Sequence, residues 1–171
     1  MKVCAVWVAL FLSLSIPAFS QVLGDYRSNQ SGNWNVPATW QRFNGITWVA
    51  ATATPTNLSG SITIQSAHEV TVPAGLTLTA DQLTVDGVLT IASGGQLNIA
   101  NGAGTDLTAV SASSLVSVSG TLQINNGAIL DNQSIITSVV FQSGSVYRHS
   151  YTTSFGDLPA ATWDPNSTVS V

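Results

Sequence analysis

The reactive side chains of this chain are few and poorly placed for cooperation. His68 and Glu69 are adjacent, and neighbouring residues of a strand point to opposite faces, so they cannot act as a base and its orienting partner. Arg148 and His149 have no partner that the sequence places nearby. No serine lies in a Gly-x-Ser-x-Gly turn of the hydrolase type. We therefore expect a protein that is not an enzyme.

Four aspartates could supply a pair of carboxylates, which glycosidic cleavage requires at a set separation. They are Asp81, Asp86, Asp106 and Asp131. Asp86 and Asp131 adjoin turns, where an aspartate side chain commonly caps its own backbone. No lysine or arginine cluster accompanies them to bind an acidic sugar. A polysaccharide-degrading enzyme of the β-helix type therefore ranks third among the functions that we consider.

A calcium ion is the one cofactor that the sequence suggests. The segment NGAGTDLTA (101–109) resembles the calcium-binding nonapeptide, with Asn101 in place of its first glycine and Leu107 one position early. That motif holds its ion between tandem copies, and this chain has one copy. A structural calcium near Asp106 is therefore only a secondary expectation, because a single loop offers too few oxygen ligands.

Aromatic residues concentrate between Gly24 and Thr56. Tyr26, Trp34, Trp40 and Trp48 could line a sugar-binding surface, because aromatic faces pack on the apolar faces of sugars. They could instead fill the core of a short irregular segment, since large rings bury much area. We favour the second interpretation and keep a carbohydrate-binding module as the alternative function.

The first twenty residues have the pattern of a secretory signal peptide. Lys2 precedes an apolar run from Val3 to Ile16, and PAFS (17–20) offers small residues for cleavage before Gln21. The run is too short to span a bilayer comfortably, so we expect no membrane insertion after cleavage. Cleavage would remove Cys4, the only cysteine of the chain. An exported protein without disulfides fits a bacterial origin and a secreted or cell-surface location.

The remaining chain carries little charge. It has no lysine, and Arg27, Arg42 and Arg148 face seven aspartates and Glu69, which gives a net charge near −5. Such a balance would not attract nucleic-acid phosphates. Partners, where there are any, are therefore expected to be a polysaccharide or another cell-surface ligand.

Short alternating segments fill the chain from Ser59 to Val146, among them SITIQ, EVTV, LTLT, QLNI and LVSVSGTLQI. Alternation with a period of two predicts strands with one buried face, and Gly, Asn and Ser clusters between them predict turns. The segments repeat, because residues 83–97 align with 116–130 at an offset of 33.

A kernel of the form apolar-x-x-Gly-x-x-apolar occurs four times and predicts the corners of a solenoid. Its glycines are Gly75, Gly94, Gly127 and Gly144, and Gly87 and Gly120 align in the longer repeat. The intervals predict coils of about 17 residues, each too small to bury its own apolar face without stacking. The predicted fold is an all-β, single-stranded parallel β-helix or solenoid, with an antiparallel sandwich as the alternative.

The predicted organisation is a signal peptide (1–20), an aromatic N-terminal cap (21–58), a β-solenoid (59–150) and the start of a following unit or a linker (151–171). PAATW at 159–163 repeats PATW at 37–40. We therefore expect the natural polypeptide to continue into further domains beyond Val171.

The segments GDYRSNQSGNWNVPATWQRFNGITWV and ITIQSAHEVTV, followed by the glycine-punctuated coils, resemble the amino-terminal part of large secreted bacterial surface proteins of the type IX secretion kind. The module is distantly similar to the eight-glycine extracellular domain. The resemblance implies a fold and a compartment but no reaction. The function predicted first is thus a non-catalytic extracellular structural or adhesion module.

Overall fold

The computed structural model describes residues 21–152 and 157–171, and within them it is a three-sided parallel β-solenoid. The signal peptide predicted for residues 1–20 lies outside the described residues. One short 3₁₀ helix spans Pro37–Thr39. The strands are β1 (Tyr26–Ser28), β2 (Gly32–Asn33), β3 (Trp40–Phe43), β4 (Trp48–Ala50), β5 (Ile62–Ile64), β6 (Glu69–Val72), β7 (Thr77–Ala80), β8 (Leu83–Val85), β9 (Val88–Ile91), β10 (Gln96–Ile99), β11 (Leu107–Thr108), β12 (Leu115–Val118), β13 (Thr121–Asn125), β14 (Leu130–Asp131), β15 (Val139–Phe141), β16 (Val146–Ser150), β17 (Thr162–Trp163) and β18 (Thr168–Ser170).

Three sheets form the sides of the solenoid, and successive strands of the chain move from one side to the next. The first face has the order β14-β11-β8-β5-β1-β3-β4, the second β17-β15-β12-β9-β6-β2, and the third β18-β16-β13-β10-β7. Among the described strands every pairing is parallel except those of β3, which pairs antiparallel with β1 and β4. The predicted parallel solenoid is therefore confirmed, and the antiparallel sandwich is wrong.

The alternation in the sequence produces the core directly. Strands are only three to five residues long in most coils, and their inward residues stack in register on those of the next coil. On the second face the inward column contains Val72, Ile91, Val118 and Phe141, each at most 1 % exposed. The coils cannot bury these side chains singly, so stacking supplies the burial that stabilises the fold.

The predicted coil length of about 17 residues is wrong. Stacked partners on the third face are Thr77, Gln96, Thr121 and Val146, which are 19, 25 and 25 residues apart along the chain. The solenoid makes about 5 turns with coils near 23 residues.

The coil length was underestimated because the same glycine kernel occurs at different corners of the triangular cross-section. Gly75, Gly94 and Gly144 lie between the second and third faces, whereas Gly127 lies between the third and first. The repeat at an offset of 33 likewise matches Leu83 of the first face to a residue of the second. The offset of 33 residues therefore corresponds to the residues of one full coil plus those of one further side.

The corner glycines have two separate physical roles. Gly94 has φ of 78°, a left-handed conformation that other residues adopt at a cost, and the other three kernel glycines share it. Gly87 instead lies under the coil before it. A Cβ atom on Gly87 would lie 2.4 Å from the carbonyl oxygens of both Gln65 and His68.

The two ends of the solenoid are built differently. At the N-terminal end, β1 stacks on β5, β2 stacks on β6, and the antiparallel pair β3–β4 continues the first face. At the other end, β17 stacks on β15 and β18 on β16. The residues from 157 to 171 therefore continue the ladders of the same solenoid.

Candidate functional site

Trp34 and Trp40 form the centre of the N-terminal cap. Each is 1 % exposed, and their rings meet edge to face with centroids 4.9 Å apart. Trp34 Nε1 donates a hydrogen bond to Pro55 O at 3.0 Å, and Trp40 Nε1 donates to Trp34 O at 2.8 Å. Tyr26 is also buried, at 7 % exposure. These three rings offer no face to a sugar, so the carbohydrate-stacking interpretation fails for them and the cap-core interpretation explains their contacts.

Trp48 is the fourth aromatic residue of that group, and it is only partly buried. The Arg27 guanidinium carbon lies 4.5 Å from its ring centroid, and the Phe43 centroid lies 5.4 Å away. Arg27 Nε also donates to Gln41 Oε1 at 2.8 Å, which holds the guanidinium in place. The cation–π contact covers one face of the indole, and such contacts are worth about 0.5–1 kcal/mol at exposed sites.

Two of the four predicted aspartates, Asp81 and Asp106, come together between neighbouring coils. Asp106 is fully buried, with Oδ1 accepting from Gly102 N and Oδ2 accepting from Ile129 N, both at 2.7 Å. Asp81 packs against Gly102 and shares a side-chain hydrogen bond with Asp106. Its Oδ1 is buried without a hydrogen-bond partner among the described residues.

The surroundings of the Asp81 carboxyl disfavour its charged form. Burial raises the pKa of the Asp81 carboxyl above its ordinary value, and the hydrogen bond and negative charge of Asp106 raise it further. A hydrogen bond from the Gln82 backbone opposes this shift. Carboxyls in direct contact leave no room for a sugar between them, so this pair lacks the separation that glycosidic cleavage needs.

In the segment that resembles a calcium loop, the Asp106 carboxylate accepts hydrogen bonds from the backbone. Both of its oxygens accept backbone N–H groups, one from its own loop and one from the coil above. No group of three or more His, Cys, Asp or Glu residues within 21–152 and 157–171 could hold a metal ion. The carboxylate therefore ties successive coils together.

Asp86 and Asp131 are not brought together. Asp131 caps its own turn, because its Oδ1 accepts from Gln133 N at 2.9 Å. Asp86 lies at the corner after β8, and its backbone carbonyl accepts hydrogen bonds from the Ser111 and Ser113 hydroxyls. The coil that contains β11 separates the two aspartates.

Ser28 and His68 form a contact that the sequence analysis missed. Ser28 Oγ lies 2.8 Å from His68 Nδ1, and Gln65 N donates to the same Oγ at 2.9 Å. Forty residues of chain separate the pair, so no local pattern could have revealed it. Ser28 is fully buried, so its hydroxyl cannot meet a substrate. The contact joins β1 to the corner of the next coil.

Aromatic rings stack along the core of the last coils. Phe141 and Trp163 are 4.1 Å apart and nearly parallel at 5°, and His149 and Tyr151 are 4.1 Å apart at 7°. Tyr147 Oη lies 2.9 Å from His149 Nδ1, and burial is the main reason that the pKa of Tyr147 is raised. A pocket of about 390 Å³ opens beside them, with lining residues that include Asp131, Asn132, Asp157, Tyr147 and Tyr151.

These observations define a class of protein, a three-sided parallel β-solenoid with an aromatic N-terminal cap and with polar contacts that join its coils. No protein-family model matches the chain, and no curated protein or solved structure matches it. In the part of the chain that the structure describes, no helix is long and apolar enough to cross a membrane.

Proposed function

We propose that this protein is a non-catalytic module that acts outside the cell as a rigid β-solenoid spacer and interaction surface. The observation that carries the proposal is the unbroken stacking of strands on all three faces. Five strands of the third face and six of the second form continuous ladders, which resist bending because each coil is hydrogen-bonded to its neighbours.

The outward columns support the role of an interaction surface. On the third face two columns run across all five strands, and they bear hydroxyl and amide side chains except at Val146 and at Arg148, their single charge. On the first face Thr63, Thr84 and Thr108 stack in one column, which continues to Arg27 on one side and to Asp131 on the other. Flat surfaces with so few charges suit neutral hydrogen-bonding partners better than ionic ones.

Location outside the cell is supported by the sequence of residues 1–20. The full chain, expressed in a bacterial host, should be exported and should lose about 20 residues, as the signal-peptide pattern predicts. A matched variant with Leu10→Arg and Leu12→Arg interrupts the apolar run and should remain inside the cell at full length. Retention of the unchanged chain in the cytoplasm would contradict an extracellular role.

Rigidity can be measured separately with pairs of spin labels on cysteines introduced into the second face. Asn33 and Thr162 lie in one outward column five strand steps apart, so their backbones should be separated by about 24 Å. The control pair at Thr71 and Thr162 is one step closer and should be about 5 Å shorter.

Each pair should give a single narrow distance distribution. The mean distances of the two pairs should differ by one strand spacing. The experiment is specific because Cys4 is the only natural cysteine and belongs to the predicted signal peptide. A broad or multiple distribution for the longer pair would show that the coils move relative to one another, and the spacer role would be abandoned.

A further inference from the structure

The third face ends at its N-terminal side in an unpaired strand. The first coil supplies β1 to the first face and β2 to the second, but the third face begins one coil later with β7. A strand position beside β7 is therefore vacant among the described residues. An unpaired edge of this kind is a template for pairing with another strand.

The hydrogen bonds on the other side of β7 show which of its groups are free. Gln96 N donates to Leu76 O at 2.8 Å, and Ala100 N donates to Ala80 O at 2.9 Å. With this register, the parallel ladder to β10 uses backbone groups of residues 76, 78 and 80. The N–H and C=O groups of Thr77 and Thr79 point to the vacant side, where no described residue pairs with them.

A groove of about 290 Å³ runs along this free edge. One wall is β7 itself, and the other is the cap segment 54–57 together with Asn35. The hydrogen bond from Trp34 Nε1 to Pro55 O holds the second wall at its distance from the strand. The groove therefore lies in a fixed position beside the unpaired backbone groups.

Leu78 shows that the vacant position lacks an apolar side chain. It stands in the inward column of the third face with Leu97 and Leu122, which are both 0 % exposed. Leu78 itself is only partly buried. A residue stacked on Leu78 from the vacant side would complete this column.

We propose that the edge of β7 binds an extended peptide strand of another polypeptide, which adds to the third face beside Thr77 and Thr79. The bound strand would carry an apolar residue over Leu78 and small or polar uncharged residues on either side. This inference goes beyond the proposed spacer function and depends only on the geometry of β7 and its groove. Strand addition of this kind gains affinity from main-chain hydrogen bonds and specificity from alternate side chains.

The lining of the groove selects against charged strands. Its side chains come from Trp, Asn, Thr, Pro and Leu residues, with no ionisable group among those described. A charged side chain placed over Leu78 would lose its hydration without gaining a counter-ion, which is unfavourable. The partner strand is therefore neutral in the residues that contact β7.

The test uses a synthetic, end-capped peptide with the sequence GGQLNIA, which is that of residues 94–100. These residues already pair with the opposite edge of β7, with Gln96 beside Thr77 and Leu97 beside Leu78. Added to the labelled full chain, the peptide should slow hydrogen exchange of the Thr77 and Thr79 amides at least tenfold and shift the indole N–H resonance of Trp34. The control peptide GGQDNIA places a carboxylate over Leu78 and should cause neither change.

The protein variant that tests the mechanism is Thr79→Pro, which removes a free-edge N–H without removing a bond to β10. Proline is tolerated at such edge positions. The variant should bind the peptide at least tenfold more weakly, whereas Thr79→Val keeps the N–H and should bind it normally. If Thr79→Pro does not fold, a peptide N-methylated at its leucine replaces it in the comparison and should fail to bind.

Three results would overturn the proposal. Equal protection of the two threonine amides by both peptides would show that no strand is recognised. Concentration-dependent self-association that Thr79→Pro abolishes would assign the groove to a second copy of this chain. Protection of the same amides by cellohexaose but not by GGQLNIA would assign it to a neutral oligosaccharide.

Discussion

The two kinds of corner glycine should respond differently to alanine, and Gly120 and Gly144 make a matched pair. Both lie at the corner between the second and third faces, one coil apart. A Cβ atom on Gly120 would lie 2.2 Å from Gly95 O and 2.4 Å from Ala92 O, whereas one on Gly144 would meet nothing within 4 Å. Gly144 instead has φ of 76°, which alanine adopts only with strain.

The magnitudes follow from these contacts. Gly144→Ala should lower the free energy of unfolding by about 1–2 kcal/mol, the usual cost of a left-handed residue with a Cβ atom. In Gly120→Ala the coils must separate by roughly 1 Å, which is overpacking that costs about 1–3 kcal/mol. Separation also weakens the bonds from Gly120 N to Ile91 O and from Thr121 N to Gly95 O, each worth about 1 kcal/mol. The expected total is about 3–5 kcal/mol.

Thermal unfolding of the purified chain, followed by circular dichroism, separates these values. At about 2–4 °C per kcal/mol, Gly120→Ala should lower Tm by about 6–20 °C and Gly144→Ala by about 2–8 °C. Urea titration of both variants at one temperature gives the free energies directly. A loss in Gly120→Ala no larger than that in Gly144→Ala would refute the argument that close stacking, rather than φ, requires glycine at that corner.

Three further substitutions test the polar contacts. The pKa of Asp81 is raised in the folded protein, so between the ordinary and the raised pKa the native state binds more protons than the unfolded chain. The free energy of unfolding should therefore fall as the pH rises through that window. Urea titrations of Asp81→Asn should lack this pH dependence, and the variant should be more stable than the unchanged chain at pH 7. Trp34→Phe leaves the buried Pro55 carbonyl without its donor and should cost about 2–4 kcal/mol, with unchanged stability contradicting the cap-core role. Ser145 Oγ is buried without a described partner, so Ser145→Ala should raise stability by about 1 kcal/mol in thermal melts, and a loss would show that the hydroxyl is bonded.

The fold class was predictable because the alternation of apolar and polar residues indicates which residues face inward. Alternation marks inward residues such as Leu97 and Ile99, and kernel glycines such as Gly94 mark corners. The coil length was not predictable from the same pattern. A kernel reports that the chain turns, but the local stereochemistry is the same at each corner of the triangle, so it does not report which faces the corner joins.

The polar contacts were predictable only in part, because they connect residues far apart in the chain. Asp106 was a candidate from its motif, but its contact with Asp81 depends on how two coils stack. The bond between Ser28 and His68 joins the cap to the solenoid and has no local signature. The groove beside β7 is likewise a property of where the third face begins.

The equivalence of successive coils affects how such a chain can evolve. Gln96 and Thr121 occupy equivalent places in successive coils, so residues 96–120 are one complete unit whose two ends fall at the same point of the cross-section. A duplication or deletion of those codons would leave every remaining strand on its own face and alter the length of the solenoid by about 4.8 Å. A solenoid of this kind can therefore gain or lose whole coils during evolution. Its length would change while the packing of the inward residues stays the same.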